Sequence, residues 1–473
     1  MSLRSVTIGS TLLILRSSVI DMSNPQFDRY RLVLASSLTS RVFAEEVQLL
    51  PRLPRISIQR WTRAAEQIQA AIEQRWGFKI IMLDFLENKS GRERLAIAEL
   101  RSHDRGPSPY WSHAWVHLNE IAEDEIFEFE RAIVDRLLNN GATGRGPFSR
   151  FGWIEEACNW VGIEPSSNLT EFNGELKQLN AAANYALVRF ARQSAPPIWF
   201  KAVRDPTAPE YRITSTLAKL LPEFLPPMVA SREEWSAWWM EDAGDSLDDA
   251  RSEGLFGHAA LRLAELQKAS IPHIHALLKS GCGDQRIAVL RARIPQMMDF
   301  IEDAMARKQS SPSPKLGRGR LREVWRILEE ACFNLEALGI PDTLMHGDIN
   351  LGNILVGHGC VFIDWAQASI GNPFVTFEQL RVQIAEDQNT AQWTPYMTEK
   401  YTKSWGQILS SSQINCALAV VPLISVALEL CGRWTWLTSD RLHEARFQSY
   451  LRGLARQMDR AVRDLELREI ICA

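Results

Sequence analysis

The stretch from Met345 to Pro373 constrains the fold more than any other part of the chain. It reads MHGDINLGNILVGHGCVFIDWAQASIGNP, in which two short apolar runs, ILV and VFI, flank the turn sequence GHGC. Short apolar runs around a glycine-containing turn predict a β-hairpin. Such a hairpin would bring Asp364, at the end of its second strand, back beside Asn353 and the tight turn that contains Asp348.

The residue types gathered at this point suit a hard divalent cation. Mg²⁺ prefers oxygen ligands and usually takes one or two of them from protein, the others coming from phosphates and water. Asp348 lies on the turn and could act as a base toward an incoming hydroxyl. In the alternative interpretation, Asp348 and Asn353 only cap local turns, as such side chains often do. Capping is favoured for either residue alone, whereas the whole set in this order and spacing favours a functional site.

The same residues carry a resemblance to a known family. His346-Gly347-Asp348, Asn353 five residues further on, and Ile363-Asp364-Trp365 resemble the HGDxxxxN…IDW signature of aminoglycoside phosphotransferases and choline kinase-like enzymes. The resemblance covers about residues 165–470. It implies an α+β, bilobal protein-kinase-like fold and an enzyme that transfers phosphate from ATP to a small molecule.

The resemblance also implies a role for each residue of the motif. Asp348 would be the catalytic base that accepts the proton of the substrate hydroxyl. Asn353 and Asp364 would hold Mg²⁺ against the phosphates of ATP. His346 would brace the catalytic loop, and Trp365 would pack beneath Asp364.

A kinase also needs a cation on the nucleotide phosphates and a partner that holds this cation in place. The sequence IWFKAVR supplies Lys201 in a predicted strand, where it shares a face with Trp199 and Val203. A lysine on a strand face is most often solvated, but here an acidic residue that opens a helix follows. By similarity, this residue, Glu210, would pair with Lys201, although a negative charge in a first helical turn is favourable in itself. Glu223 is a second candidate.

The segment WWMEDAGDSL resembles the hinge of the family, where main-chain groups bind the adenine edge. On this basis adenine is expected to lie against Met240, Glu241 and Ala243. The sequence departs from the family ahead of the lysine strand, because LNAAANYA (179–186) stands where a glycine-rich turn would cover the phosphates. Small Ala and Asn residues still allow close backbone approach.

Two further departures follow the motif turn. Ile349-Asn350 stands where relatives often have Leu-His, and FEQL (377–380) stands where many relatives carry an aspartate. Neither departure changes a predicted metal ligand.

Hydrophobic patterning divides the chain into three predicted parts. Residues 1–150 are predicted to form an α/β domain, 165–245 a β-rich lobe that ends in the hinge, and 246–473 a helical lobe with the catalytic loop. Helical spacing predicts helices over 60–77 and 127–141, each closed by a glycine. FKIIMLDFL and ERLAIAEL predict strands, GATGRGPFSRFG a linker, and VTIGSTLLILRSSVI an N-terminal strand instead of a signal peptide.

The later parts carry their own patterns. ANYALVRFAR and PIWFKAVR predict a hairpin that turns at QSAPP, followed by a helix from Glu210 and a strand at WSAWWME. The stretch 413–467 is predicted to be helical, and ALAVVPLISVALELC within it is apolar on nearly every face and should be buried. KQSSPSPKLGRGR (308–320) predicts a loop.

Composition disfavours several classes of function. The formal net charge of -4 gives no electrostatic case for nucleic acid as a main partner. The seven cysteines are scattered without a CxxC pair, which predicts reduced thiols in a cytoplasmic protein. Apolar runs stay short of the roughly 20 residues that a membrane span needs, so we expect no span.

The sequence therefore favours an ATP- and Mg²⁺-dependent phosphotransferase with a small-molecule hydroxyl as acceptor. Two alternatives stay open: a kinase-shaped regulatory or binding module, and a nucleotidyltransferase on the same scaffold. Glu378, Glu386 and Asp387 could receive a cationic substrate, but solvated surface charge is the favoured interpretation. GRWTWL (432–437) could line a pocket, with core packing favoured. The sequence leaves open the acceptor, the oligomeric state and the role of residues 1–150.

Overall fold

A computed structural model of the chain forms two compact units. Among the described residues, the first contains those from Phe27 to Tyr211 together with Pro227–Asp242, and the second contains Arg212–Pro226 and those from Ala243 to Leu467. The residues that the structure describes are 27–47, 50–60, 63–87, 93–101, 113–162, 176–192, 195–203, 209–307, 316–357, 359–432 and 445–467. The predicted strand at 6–20, the loop residues 308–315 and most of GRWTWL (433–437) lie outside these ranges.

The first unit opens with seven strands among its described residues, namely β1 (Phe27–Ser36), β2 (Thr39–Val47), β3 (Leu50–Arg52), β4 (Arg55–Gln59), β5 (Ile80–Leu86), β6 (Arg94–Leu100) and β7 (His113–Val116). They form one sheet in the order β3-β2-β1-β6-β5, with β4 beside β1 and β7 beside β2. β1 and β6 are parallel, whereas β5 runs antiparallel to β6. The two strands predicted from FKIIMLDFL and ERLAIAEL are confirmed as β5 and β6.

Helices cover this sheet because its strands are apolar on both faces. The helices are α1 (Ala64–Trp76), α2 (Glu128–Asn140) and α3 (Trp153–Trp160). Leu32 and Leu34 of β1 pack in one core with residues of α1, while Val33 and Ala35 point into a second core. This alternation follows from the two-residue period of a strand. α1 and α2 confirm the predicted helices, and each ends at a glycine in the left-handed conformation.

A second sheet follows in the same unit, with β8 (Leu176–Ala182), β9 (Tyr185–Phe190), β10 (Ile198–Val203), β11 (Met228–Arg232) and β12 (Ala237–Glu241). Its strands are antiparallel in the order β11-β12-β10-β9-β8. The predicted hairpin is confirmed, since Ile198 of β10 pairs with Phe190 of β9. The strand predicted from WSAWWME is confirmed as β12.

The prediction of a linker at GATGRGPFSRFG (141–152) is wrong. A β-bridge between Ala142 and Arg150 closes this segment into a loop, and the Phe148 side chain at its centre is only 1 % exposed. The Phe148 ring lies 6.0 Å from that of Phe200 in β10 and 5.1 Å from that of Trp153 in α3. Glycine and polar residues correctly indicate irregular backbone, but the aromatic side chain anchors it in a core.

One hydrophobic core joins the two sheets of the first unit. It contains Val33 and Ile97 of the N-terminal sheet together with Val188, Phe200 and Trp239 of the second sheet. The described residues of the predicted domains 1–150 and 165–245 therefore share a core. The three-part domain assignment itself stays a prediction.

The second unit is mainly helical. Its helices are the continuation of α4 (Glu210–Leu220), then α5 (Glu253–Ser270), α6 (Ile274–Ser280), α7 (Ile287–Ala306), α8 (Arg318–Ala337), α9 (Pro373–Glu386), α10 (Thr394–Trp405), α11 (Ser411–Gly432) and α12 (Ala445–Leu467). Short strands lie between them: β13 (Asp245–Ser246), β14 (Gly283–Asp284), β15 (Thr343–Met345), β16 (Ile354–Val356), β17 (Cys360–Phe362) and β18 (Ser369–Gly371). They form two small sheets, β13-β16-β17 and β14-β18-β15.

Helix α11 confirms the predicted apolar helix, and its residues Val421, Ile424 and Leu430 are buried in the core of the second unit. Its window Ser411–Leu430 has a mean hydropathy of 1.8 and is long enough to cross a membrane, with 56 % of the window buried inside the protein. A core helix of a soluble protein meets the same criterion, so this helix is weak evidence for a span.

Candidate active site

The motif turn begins where β15 ends, and a glycine makes it possible. Gly347 has φ +74°, and a Cβ atom at this position would lie 2.0 Å from the main-chain oxygen of Gln367. Both the left-handed backbone and the lack of space exclude larger residues. Gly347 therefore lets the segment that carries Asp348 pass directly against the segment that follows Asp364.

His346 joins the turn to the second strand of the hairpin. Its Nε2 lies 2.8 Å from the main-chain oxygen of Ile363, the residue just before Asp364. The imidazole is buried, and its ring centroid lies 4.5 Å from that of Trp365. The Trp365 indole is itself held because its Nε1 donates to the Phe362 carbonyl at 3.2 Å. These contacts fit a bracing role for His346.

Asn353 makes the second connection. Its amide Nδ2 donates to the main-chain carbonyl of Asp348 at 3.0 Å, and its own main-chain carbonyl accepts from the Ile363 N–H at 3.0 Å. β16 and β17 pair antiparallel through Ile354↔Phe362. The predicted hairpin is therefore confirmed. Asn353 bonds to Ile363, the residue that follows the second strand, and to Asp348 in the motif turn.

Asp364 stands at the end of this hairpin in an unusual conformation. Its φ of 69° is left-handed, and among the described residues only Ser236 and Asp364 have a positive φ without being glycine. Such a backbone costs about 1–3 kcal/mol and persists where the surroundings enforce it, often at functional sites. Asp348 is nearly buried, at 9 % exposure, and Asp364 is partly exposed.

The donor set fits a magnesium ion that is shared with phosphates. In the part of the chain that the structure describes, no group of three His, Cys, Asp or Glu side chains could hold a metal by itself. Asn353 uses its amide nitrogen on a carbonyl, which leaves its oxygen as the atom that a cation can take. One amide oxygen and one carboxylate suit Mg²⁺, which keeps water and phosphate oxygens in its remaining positions.

Lys201 and Glu210 form the buried ion pair that the sequence predicts. Lys201 Nζ lies 2.5 Å from Glu210 Oε1, and the two residues are only 8 % and 2 % exposed. Phe200 and Ala202 enter the core of the first unit, so Lys201 points to the opposite face of β10, where its Nζ lies 5.7 Å from the Trp238 ring. Glu223, the second candidate, lies beyond the end of α4 and is exposed.

The predicted hinge residues lie at the end of β12. Met240 is half-buried and Glu241 is exposed. The Glu241 N–H is already bonded to the Pro227 carbonyl at 3.0 Å, so it is engaged within the first unit. Ala243 begins the second unit. Adenine contacts at these positions stay a prediction.

The turn at LNAAANYA connects β8 to β9 as a tight hairpin at Ala183–Asn184. Residues from an earlier segment of the chain bond to this turn. The Ala183 carbonyl accepts from the N–H of Phe148 at 3.2 Å, and Asn184 Nδ2 donates to the Arg145 carbonyl at 3.4 Å. Sequence reasoning missed Arg145 and Phe148, because the residues around them were interpreted as a linker.

The acidic residues after the motif differ from one another. Glu378 is buried and paired with Arg381 at 2.7 Å, so its interpretation as solvated surface charge is wrong. Glu386 is exposed. Asp387 is partly exposed and lies 2.6 Å from Arg251. At the two departures from the family pattern, Ile349 is buried and its carbonyl accepts from the side chain of Gln383. Phe377, Glu378 and Leu380 of FEQL are buried as well.

Comparison with known proteins shows what part of this chain is similar to. No curated protein matches the chain. Similar solved structures include a macrolide 2'-phosphotransferase from Brachybacterium faecium, with 14% identity, coverage of 64% of this chain and 97% of that one, and a TM-score of 0.42. A choline kinase from Cryptosporidium parvum Iowa II has 14% identity, coverage of 67% and 97%, and a TM-score of 0.44.

The sequence comparison is specific about the family. Residues 180–376 match the sequence model of APH, described as the phosphotransferase enzyme family. The match includes Lys201, Glu210 and the whole motif from His346 to Trp365. The predicted resemblance to aminoglycoside phosphotransferases and choline kinase-like enzymes is confirmed, because residues 180–376 match the model of this family.

Proposed function

We propose that this chain is an ATP- and Mg²⁺-dependent phosphotransferase that moves the γ-phosphate of ATP to a hydroxyl group of a small molecule. The observation that carries the proposal is the network that joins His346 to Ile363 and Asn353 to Asp348, because it gathers the motif residues of a phosphotransferase family. The bilobal kinase-like layout and the cytoplasmic location are parts of the same proposal.

In the proposed reaction, the Asp348 carboxylate accepts the proton of the acceptor hydroxyl as the hydroxyl oxygen attacks the γ-phosphorus. The bond from the γ-phosphorus to the β–γ bridging oxygen breaks, and ADP leaves. The Asp348 main chain is held by two amide side chains, Asn350 at 3.1 Å and Asn353 at 3.0 Å, which fixes the direction of the base. A bound Mg²⁺ would neutralise charge on the phosphates. Asn353 and Asp364 are the residues that would hold it.

Lys201 would contact the nucleotide phosphates, and Glu210 would hold the ammonium in position. Burying two charges costs several kcal/mol per ion in desolvation, and their attraction offsets this only partly. A fold that needed the pair for stability alone would gain as much from apolar residues of similar size. The buried pair therefore supports a functional role over a purely regulatory or binding module.

The decisive experiment follows the two ends of the triphosphate separately. The full-length protein is incubated with Mg²⁺ and either γ-labelled or α-labelled ATP, together with pooled alcohols, sugars and amino alcohols. The proposal expects the γ label, and not the α label, to appear on an acceptor. Movement of the α label would identify a nucleotidyltransferase. Tight ATP binding with transfer of neither label would instead identify a regulatory module.

A further inference from the structure

The turn at Ala183–Asn184 is held by a segment from the N-terminal part of the chain. A Cβ atom added to Gly146 would lie 2.1 Å from the Ala183 carbonyl oxygen and 2.4 Å from Asn184 Oδ1. The Phe148 N–H and the Arg145 carbonyl bond to the same two turn residues. The chain therefore passes over the turn at a distance that only glycine permits.

The holding segment is itself rigid. Thr143 and Ser149 are fully buried, and their hydroxyl oxygens lie 2.7 Å apart. The Ser149 hydroxyl also donates to the Gly146 carbonyl at 3.0 Å. The Arg145 N–H donates to the Thr143 hydroxyl oxygen at 3.2 Å. These bonds keep residues 143–149 in one conformation, so the segment can transmit its position to the turn.

An ion pair fastens the segment to the N-terminal sheet. Arg145 Nε lies 2.7 Å from Asp84 Oδ2 in β5, and the Asp84 side chain is only 2 % exposed. Burial raises the pKa of Asp84, and Arg145 acts in the opposite direction. A buried carboxylate of this kind is unfavourable without its partner, so the contact with Arg145 is specific.

A second attachment holds strand β8, which leads into the turn. The Gln178 amide is fully buried and bonds both to the Met82 N–H, at 2.7 Å, and to the Met82 carbonyl, at 3.0 Å. The Gln178 N–H donates to the side chain of Gln69 at 3.0 Å. Glutamine side chains thus connect the edge of the N-terminal sheet to the edge of the second sheet.

The segment approaches the turn from the face opposite Lys201. Phe148 packs on Phe200, which points into the core, whereas Lys201 points to the other face of the same strand. Residues 145–148 therefore do not lie on the Lys201 face. Their role toward a nucleotide on that face is one of positioning and not of direct contact.

We propose that residues 145–148, anchored through Asp84, position the Ala183–Asn184 turn for contact with nucleotide phosphates. The inference rests on the proposed phosphotransferase function, and it gives the N-terminal part of the chain a role. The turn lacks glycines of its own, so external support replaces the backbone freedom that would let a flexible loop close over the phosphates.

The test compares two ligands that differ only in their phosphates. Binding of Mg-ADP and of adenosine to the full-length protein is measured by calorimetry, for wild type and for Gly146→Ala. We expect Mg-ADP affinity to fall by about tenfold, or about 1.4 kcal/mol, while adenosine affinity changes less than about twofold. Gly319→Ala is the control, because nothing lies within 4 Å of a Cβ atom at that position.

A second pair of variants covers the case in which Gly146→Ala does not fold. Arg145→Gln removes the charge that faces Asp84, and Arg145→Lys keeps it. We expect Mg-ADP affinity to fall by about threefold to fivefold in Arg145→Gln, and adenosine affinity to fall less. Arg145→Lys should restore most of the lost Mg-ADP affinity. A factor of ten in affinity corresponds to about 1.4 kcal/mol. Restoration by lysine would indicate that the charge, and not the length of the side chain, positions the turn.

Three outcomes would overturn the inference. The first is an unchanged Mg-ADP affinity in both Arg145→Gln and folded Gly146→Ala. The second is an equal fall in the affinities for Mg-ADP and adenosine. Either result would show that residues 145–148 do not position the turn. If wild type binds both ligands, these results leave the phosphotransferase proposal intact. A wild type that binds neither ligand would overturn the phosphotransferase proposal together with this inference.

Discussion

Two hairpins, one in each unit, carry bonds of very different range. Around the β16–β17 hairpin, the bond from His346 to Ile363 spans 17 residues and that from Asn353 to Asp348 spans 5. Around the β8–β9 hairpin, the pair of Arg145 with Asp84 spans 61 residues. The bonds among the motif residues are thus local, although β13 pairs with β16 from a distant part of the chain. The β8–β9 turn, in contrast, is held by side chains from a distant part of the chain.

The difference predicts that substitutions in the two regions will have different effects. Residues that flank the β16–β17 hairpin carry the groups proposed for proton transfer and metal binding, so changing them should affect turnover. The supports of the β8–β9 turn touch no proposed reacting group, so changing them should affect binding or stability. Opposite kinetic signatures in the two regions are therefore the main test of this comparison.

Asp348→Asn should give the largest effect. The amide keeps the size of the side chain but cannot accept the proton, and general-base catalysis typically contributes about 10²–10⁴-fold. We expect transfer of the γ label to fall by about 10³-fold, with Mg-ADP affinity nearly unchanged. Asp303→Asn, at an exposed position on α7, is the matched control and should keep full activity.

Unchanged turnover in Asp348→Asn would remove Asp348 from the mechanism. An equal fall in turnover and in Mg-ADP affinity would also break the comparison, because it would give the β16–β17 hairpin the signature assigned to the other region. The two measurements therefore have to be made on the same preparation.

The range of these contacts explains what could be predicted from the sequence. The residues His346, Asp348, Asn353 and Asp364 lie within one short stretch of sequence. Their spacing and the turn residues between them were therefore enough to predict the hairpin that they flank. The pairing of Lys201 with Glu210 was implied by the resemblance to the family, and the bond between them spans 9 residues.

The supports of the β8–β9 turn could not be predicted in this way. Gly146 lies in a run of turn residues, and nothing in that run shows that its missing Cβ makes room for Ala183. Gln178 bonds to Met82 across 96 residues. Periodicity reports which side chains are buried, but not which distant strand they meet. The one local signal was Phe148, an aromatic residue within a polar loop.

Gly347→Ala should give the largest loss of stability. Alanine would have to adopt a left-handed backbone, which costs about 1–2 kcal/mol, and its Cβ would collide with the Gln367 carbonyl, which costs about 1–3 kcal/mol more. We expect the thermal midpoint of the second unit to fall by about 6–12 °C. Gly254→Ala, in open space on α5, should leave it unchanged or slightly higher. A loss confined to the first unit would contradict the local origin of the hairpin.

Gln178→Ala should have a smaller effect, and in the other unit. It leaves the Met82 N–H and carbonyl buried without their amide partner, at about 1–3 kcal/mol. We expect faster hydrogen exchange at the Met82 amide and a lower unfolding midpoint of the first unit. Gln74→Ala, exposed on α1, is the control. Exchange at Met82 equal to that of wild type would show that distant support is not needed.

Cysteine labelling should separate the two regions by the order in which the two units unfold. Burial raises the pKa of Cys158 in α3 to about 12 and that of Cys360 in β17 to about 12. At pH 8 both thiols are therefore protonated in the folded state, and only the thiolate reacts. We expect iodoacetamide to label Cys158 when denaturant opens the first unit and Cys360 when it opens the second. Gln178→Ala should advance labelling of Cys158 alone, whereas Gly347→Ala should advance that of Cys360. Simultaneous labelling in both variants would mean that the units unfold together, and local and distant support could then not be told apart by stability.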